Sequence, residues 1–180
     1  MVNYDKKKKF FFISYSNNPT ILKNFLPKKN KSEKIGSIYE IPFNMIIFLE
    51  SLFKKLKKIK SVCLIIDYAK NENFGNSLKS IKKHEIINPL DMIGKSDISA
   101  HVNFNLIKKI SEKFNLICNG PINQRNFLIK LGILLRAEIL MRNADSKQKK
   151  MLKNSLDFLI NKNKMGKIFN VISISNKKIN

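Results

Sequence analysis

Apolar and polar residues follow a helical period in the stretch after Pro42. The apolar positions recur every three or four residues with lysines opposite, which predicts an amphipathic helix whose first turn Pro42 opens. These positions are Met45, Ile46, Leu49, Leu52, Phe53 and Leu56. Residues 61–67 then form an apolar run that ends in a carboxylate, the pattern of a buried strand. A helix followed by such a strand predicts an α/β protein with a parallel sheet.

The second half of the chain continues with helical patterns between short strands. Asn123 and Asp145 are suitable helix N-caps, and Gly132 is suited to end a helix. The predicted elements are a helix over 104–114, a strand over 116–118, helices over 124–131 and 133–141, and a closing strand over 168–174. A last helix, capped by Asp145, carries the apolar residues Met151, Leu152, Leu156, Leu159 and Ile160.

The first 36 residues have a different character. Residues 10–15 are aromatic and predict a strand, whereas residues 27–36 form a charged loop without core-forming residues. Residues 37–41 predict a short strand, and residues 70–80 predict a loop because they contain almost no apolar side chains. We therefore expect residues 1–180 to form a single partial domain, divided into residues 1–36 (strand or hairpin and charged loop) and residues 37–180.

The net charge of +22 comes almost entirely from lysine, since Arg125, Arg136 and Arg142 are the arginines of the chain. Arginine is preferred for bidentate contacts to phosphates and bases. Lysine, asparagine and isoleucine are over-used together, as in proteins of AT-rich genomes. A solvated lysine surface is therefore the favoured interpretation, and nucleic-acid binding is the less favoured one.

Few residues are available for redox or metal chemistry. Cys63 and Cys118 lie in apolar runs, which predicts buried reduced thiols, and we expect no metal site. No run reaches the roughly 18 apolar residues that span a membrane. We accordingly expect a cytoplasmic protein without a membrane span.

Two groups of polar residues stand out as candidate chemistry. Asp67 and Tyr68 follow the buried strand, at the end of a sheet where α/β folds bind ligands. Asp97, Ser99 and His101 alternate, so an extended backbone would project them to one side. They are compatible with a substrate-positioning site and equally with a polar network that holds a loop. Ser99 and Asn103 are also compatible with capping the helix that starts near Phe104, and Gln124 with local hydrogen bonding.

Six blocks, in order along the chain, resemble the C-terminal half of the MidA-like methyltransferases, the family of a mitochondrial complex I assembly factor that methylates a protein arginine. The blocks are Gly36 with Ile38, Glu40 and Pro42; Ile66, Asp67 and Tyr68; His84 with Asn88, Pro89, Leu90 and Gly94; Asp97 to Phe104; Gly120 with Gln124, Phe127, Leu128, Gly132, Ile133 and Arg136; and Met165, Gly166 and Phe169. The chain departs from the family pattern at Ala69, Ser99 and Asn103, where glycine, threonine and aspartate are usual.

The resemblance implies an α/β fold, namely the C-terminal part of a Rossmann-like class I methyltransferase sheet with added helices. The implied cofactor is S-adenosylmethionine, but the chain has no glycine-rich loop for it, so weak or no activity is expected from this chain alone. The implied partners are a protein substrate and a missing N-terminal half or partner subunit. The implied catalytic acids are Glu40, Asp67 and Asp97, unranked, and the implied substrate-side or cofactor-side residues are Tyr68, His84, Ser99, His101 and Gln124.

Two other functions stay open at the level of sequence. One is a non-catalytic assembly or interaction module that retains the fold. The other is a basic RNA-associated protein, which would need arginines and aromatic side chains on a shared exposed surface.

Overall fold

The computed structural model describes residues 2–16, 36–70, 75–83 and 85–177. It separates into two compact units, each built from two stretches of chain. The first comprises Met1–Pro42 and Glu72–His101, and the second comprises Phe43–Asn71 and Val102–Asn180. The expected division at residue 36 stays a prediction, and the two units are described separately below.

The first unit begins with an antiparallel hairpin of β1 (Val2–Asp5) and β2 (Phe10–Ile13). The lysine run between them forms the turn. The Asp5 carboxylate accepts hydrogen bonds from the backbone N–H groups of Lys7 and Lys8, both at 2.9 Å. The sequence pattern predicted β2 but missed β1, because four residues of mixed polarity carry little strand signal.

The first unit also contains a three-stranded antiparallel sheet that the sequence pattern did not predict. Its central strand is β4 (Lys79–Lys82), flanked by β5 (Glu85–Ile87) and β6 (Asp97–Ser99). The predicted loop over 70–80 therefore ends too late, and the predicted strand over 37–41 is wrong, since those residues form no strand. Strands of three or four residues depend on their pairing partners rather than on a local apolar pattern.

The second unit is built on a four-stranded sheet with the order β7 (Val102–Asn103), β3 (Val62–Lys70), β9 (Phe169–Ser175) and β8 (Ile117–Asn123). β9 pairs antiparallel with both β3 and β8, and only the short β7 pairs with β3 in parallel. The α/β fold class is confirmed, but the sheet is mixed rather than parallel.

Helices α1 (Phe43–Leu56) and α2 (Phe104–Lys113) cover one face of this sheet. Both carry the predicted apolar stripe, and Phe53 and Phe104 are completely buried beneath them. Their core also takes in Ile172 and Ile174 of β9, with the partly buried Cys63 and Ile65 of β3 packed against it. The helical period of these two segments therefore identified the core correctly.

Four further helices complete the second unit: α3 (Gln124–Lys130), α4 (Ile133–Arg142), α5 (Ser146–Ile160) and α6 (Met165–Ile168). The predicted caps are confirmed. Asn123 accepts from the N–H of Asn126, and Asp145 forms a reciprocal capping box with Gln148. Gly132, with φ of +80°, ends α3 and begins α4 in the left-handed conformation.

Both cysteines are free thiols within the sheet, and both lie opposite Ile174 of β9. Burial raises the pKa of the Cys63 thiol and of the Cys118 thiol, so both hold their protons more strongly than a solvated cysteine. Among the described residues, no group of three or more histidine, cysteine, aspartate or glutamate side chains is placed to hold a metal ion.

Candidate functional site

Glu40 is held by hydrogen bonds within the first unit. One carboxylate oxygen accepts from the backbone N–H groups of Ser77 (2.8 Å) and Leu78 (2.9 Å). The other oxygen accepts from the Ser77 hydroxyl at 2.5 Å. Ser77 is 3% exposed, so this carboxylate satisfies polar groups that are otherwise withdrawn from water.

The same serine joins His101 to Glu40. The His101 backbone N–H donates to the Ser77 hydroxyl oxygen at 3.0 Å. Glu40, Ser77 and His101 therefore form one network that connects three separate stretches of the first unit. Sequence reasoning missed Ser77, because it lies in a stretch of low apolar content that predicted a loop.

Asp97 and Ser99 both lie in β6, opposite Ile81 and Lys79 of the central strand β4. Both side chains are exposed, whereas His101 lies beyond the end of the strand. The strand thus carries only the first two of the three alternating residues. The predicted cap of α2 is confirmed for Asn103, whose side-chain oxygen Oδ1 accepts from the backbone N–H of Leu106 at 3.0 Å.

Asp67 and Tyr68 lie near the C-terminal end of β3 in the second unit. The Asp67 carboxylate is exposed and accepts a hydrogen bond from the N–H of Tyr68 at 2.6 Å. The Tyr68 ring meets the ring of Phe169 edge to face, with centroids 5.7 Å apart and planes at 85°. The antiparallel partner β9 therefore positions the Tyr68 ring, whereas Asp67, the preceding residue of the strand, projects from the opposite face.

Gln124 is 6% exposed and contacts the last turn of α5. Its side-chain amide donates to the carbonyl of Leu159 at 2.9 Å, and the Arg125 guanidinium donates to the carbonyl of Ile160 at 2.8 Å. These carbonyls have no partner inside a helix, so the two side chains cap α5 from the start of α3. Sequence reasoning missed Arg125, and only the tertiary contact identifies it.

A groove of about 450 Å³ lies beside this junction and carries the one carboxylate whose pKa is clearly shifted among the described residues. Hydrogen bonds from Lys164 and Asn161 hold the pKa of Asp157 below its ordinary value. The Lys164–Asp157 ion pair is well exposed, so it contributes little to stability.

The predicted site residues thus fall into two groups. Glu40, Asp97, Ser99 and His101 belong to the first unit, with Glu40 and His101 joined through Ser77. Asp67, Tyr68 and Gln124 belong to the second unit, with Gln124 at the α3–α5 junction and the other two on β3. His84 lies outside the described residues.

The glycines show whether the described residues could hold a nucleoside cofactor. A Cβ atom on Gly120 would lie 2.8 Å from the Val171 carbonyl oxygen, and one on Gly166 would lie 2.5 Å from that of Ile160. Both glycines are therefore needed for packing against this chain's own backbone. Gly36, Gly94 and Gly132 have open space around them, but none follows a strand and opens a helix, as a phosphate-binding or nucleoside-binding turn does.

Comparison with protein families gives a match over residues 1–122 to a family described as "Putative S-adenosyl-L-methionine-dependent methyltransferase". Curated relatives agree. The zebrafish (Danio rerio) mitochondrial protein arginine methyltransferase NDUFAF7 is 30% identical over 161 residues, and the Drosophila melanogaster homologue is 26% identical over 124 residues. The matches cover 89% and 68% of this chain, but only 37% and 28% of the two relatives. The matched part of the chain therefore spans about a third of the length of these proteins.

Solved structures share the fold. Two chains from Burkholderia thailandensis, one of them solved with S-adenosyl-homocysteine bound, superpose with TM-scores of 0.75 and 0.74 at 20% and 21% identity. The superpositions cover 97% of this chain and 47% and 46% of those chains. The architecture described above is thus about half of a larger known fold.

The expectation of a cytoplasmic protein is contradicted by the relatives. Those from zebrafish and Drosophila are both named as mitochondrial proteins. The charge and apolar pattern that suggested the cytoplasm do not distinguish between compartments inside a cell. Within the described ranges, no helix is long and apolar enough to cross a membrane.

The order of the motifs, the α/β architecture and the family match over residues 1–122 agree with one another. S-adenosylmethionine is the cofactor of the family so identified. The chain belongs to the S-adenosyl-L-methionine-dependent methyltransferase family of the MidA and NDUFAF7 type.

Proposed function

We propose that this chain is the C-terminal, substrate-side half of a protein arginine N-methyltransferase that acts in mitochondria. The observation that carries the proposal is the combination of a family match over most of the chain with coverage of only 37% of the zebrafish relative.

Methyl transfer to an arginine depends mainly on the alignment of the acceptor nitrogen with the methyl group. S-adenosylmethionine supplies a methyl group already activated on a sulfonium sulfur, so a protein contributes by orienting the acceptor nitrogen and excluding water. A guanidinium is cationic and planar, and a carboxylate can accept two of its N–H groups side by side. The acids of this chain are therefore the groups that would hold the arginine.

The three candidate acids differ in the hydrogen bonds that their carboxylates accept. Both oxygens of Glu40 are occupied by Ser77 and Leu78, which suits a residue that holds the backbone together. Asp67 is exposed, and the hydrogen bond to its carboxylate from the described residues comes from the N–H of Tyr68. We assign Asp67 as the principal guanidinium-binding carboxylate, Tyr68 as its aromatic neighbour, and Asp97 as the second candidate.

A non-catalytic assembly module is the second candidate function. The observation that favours it is that Gly36, Gly94 and Gly132, which have open space around them, do not lie between a strand and the start of a helix. The two functions differ in what Asp67 does, because an assembly module would bind its partner equally well without that charge. No observation on the described residues favours the RNA-associated alternative.

The test is methyl transfer by the reassembled protein. The 180-residue chain is combined with the complementary segment of zebrafish NDUFAF7, the part that this chain does not match, and supplied with S-adenosylmethionine and a peptide library with one central arginine. Mass spectrometry then detects arginine methylation. We expect transfer by the mixture, and a fall of about 10²-fold in kcat/KM with Asp67→Asn, which removes a charge that faces the substrate.

The matched control is Glu138→Gln, since Glu138 is an exposed acid on α4 of the same unit. It should leave the rate unchanged. Full activity of Asp67→Asn would remove Asp67 from the site, and absence of transfer by the mixture would refute the proposed methyltransferase function.

A further inference from the structure

Strand β3 is apolar on both faces, but only one face is covered. Cys63 and Ile65 pack against the core beneath α1 and α2. On the other face Val62, Leu64 and Ile66 are 54%, 48% and 44% exposed. Strands with apolar residues on both faces are typical of the interior of a sheet that is covered on both sides.

The edge of β3 that faces away from β9 is also largely unpaired. Along its other edge β3 pairs with β9 over seven consecutive residues, from Val62 opposite Ser175 to Tyr68 opposite Phe169. On the outer edge, the described residues supply only β7, which pairs in parallel at Ala69 and Lys70. Residues 62–67 therefore present an edge that no strand of the described chain occupies.

This edge lacks the features with which proteins protect a permanent sheet edge. Residues 62–67 contain no proline and no lysine, and they run straight through a regular register with β9. The lysines that are so abundant elsewhere in the chain are absent from this segment. Residues 62–67 are thus suited to pair with another strand.

The half-length superposition indicates a source for that strand. The Burkholderia thailandensis chains share this architecture over 97% of the present chain, while more than half of their own length lies outside the superposed part. We propose that the remaining half of the family fold docks on β3, adds a strand along residues 62–67 and covers the side chains of Leu64 and Ile66. This strand would continue the parallel direction that β7 already takes on that edge.

The inference rests on the proposed function, because it takes the completing polypeptide to be the cofactor-side half of the methyltransferase. It concerns a surface and its occupant, and holds whether that half is joined to these residues or is a separate chain. Docking requires no turnover, so it can be measured independently of methyl transfer.

Hydrogen–deuterium exchange resolved to single residues tests the docking. In the antiparallel β3–β9 pair, alternate N–H groups of β3 point toward β9 and the others point to the open edge. In the 180-residue chain alone, we expect the outward amides of residues 62–67 to exchange rapidly. Adding the complementary segment of zebrafish NDUFAF7 should slow them by about 10²-fold or more.

Paired variants locate the surface. Leu64→Lys with Ile66→Lys places two charges on the open face and should abolish both the protection and the complex seen by sedimentation. Leu135→Lys with Ile139→Lys on α4 is the control, since these side chains are similarly exposed at 59% and 53%. Circular dichroism and the thermal midpoint establish that each variant is folded.

Three outcomes would overturn the inference. The first is an unchanged exchange pattern, provided that the zebrafish protein's own matching segment binds the same complementary segment. The second is protection of the outward amides in the 180-residue chain alone that rises with concentration, which would show that a second copy covers β3. The third is docking unaffected by Leu64→Lys with Ile66→Lys. Docking without methyl transfer would support this inference while refuting the proposed function.

Discussion

At the scale of single residues, the role of each candidate acid depends on what its oxygens contact. Glu40 and Asp67 are equivalent in a sequence motif, since each is an acid at a conspicuous position. In the structure Glu40 accepts three hydrogen bonds from Ser77 and Leu78, whereas Asp67 is exposed beside Tyr68. The first arrangement stabilises a loop, and the second leaves a negative charge available to a ligand.

Glu40→Gln should therefore affect stability first. The amide nitrogen of glutamine is a donor, so the bonds that one carboxylate oxygen accepts are lost and those to the other become weaker. We expect a loss of about 1–3 kcal/mol in the free energy of unfolding, measured by urea denaturation, with faster amide exchange at Ser77 and Leu78.

Asp97→Asn is the control for Glu40→Gln, because the Asp97 side chain is exposed on β6 of the same unit. Its effect on stability should stay within about 0.5 kcal/mol. If Glu40→Gln were as stable as the wild type and yet lost methyl transfer in the reassembled protein, Glu40 would be a substrate-binding residue instead.

At the scale of elements, the irregular strand β8 sets the geometry between the sheet and α3. The register of β8 with β9 shifts between Asn119 and Ile122, and Gly120 lies in this interval with φ of +109°. Gly120 lies so close to the Val171 carbonyl that it leaves no room for a side chain. The strand then leads into α3, whose first two residues hold the end of α5.

Gly120→Ala should accordingly be strongly destabilising. The positive φ of Gly120 strains any residue with a side chain, and an added Cβ would lie only 2.8 Å from the Val171 carbonyl oxygen. We therefore expect a loss of about 3–5 kcal/mol in the free energy of unfolding. Gly132→Ala is the matched control, because Gly132 has φ of +80° but open space around it, and should cost about 1–2 kcal/mol. Thermal unfolding of both variants measures the difference, and equal midpoints would show that β8 can move away from β9.

At the scale of the whole molecule, the chain shares its architecture with about half of each solved Burkholderia thailandensis structure. It covers 47% of one of these structures, and the described residues leave the outer edge of β3 unpaired over 62–67 and the Leu64 and Ile66 side chains about half exposed. The lysine-rich charge of +22 is a property of the same chain, but it identifies neither the cofactor nor the partner. Under the proposed function, methyl transfer depends on the polypeptide that completes the sheet.

S-adenosylmethionine should not bind measurably to the 180-residue chain alone, because Gly36, Gly94 and Gly132, which have open space around them, do not lie between a strand and the start of a helix as a cofactor-binding turn does. Calorimetric titration of the chain should show no binding heat, and the same titration after addition of the complementary zebrafish segment should show saturable binding. The complementary segment alone is the control for cofactor bound without this chain. Clear micromolar binding by the 180-residue chain alone would mean that its own residues build the cofactor site.

The sequence by itself determined two things. One is the set of helices and strands whose apolar residues follow a local pattern, and the other is the family to which the chain belongs. The apolar stripes of α1 and α2, the caps Asn123 and Asp145, and the apolar run of β3 are each set by residues within a few positions of one another. The ordered motifs identified the methyltransferase family for a similar reason, since their spacing is written along the chain.

Only the tertiary structure decided how distant segments meet. The β4–β5–β6 sheet, the antiparallel course of β9 and the Glu40–Ser77 network depend on pairing partners, which in the last case lie 37 residues apart. Hydrogen-bonded pairing between distant strands leaves no periodic trace in a short polar segment, because the partner rather than the local pattern stabilises it. For the same reason, the open face of β3 is visible only in the fold, where one side of an apolar strand is covered and the other is not.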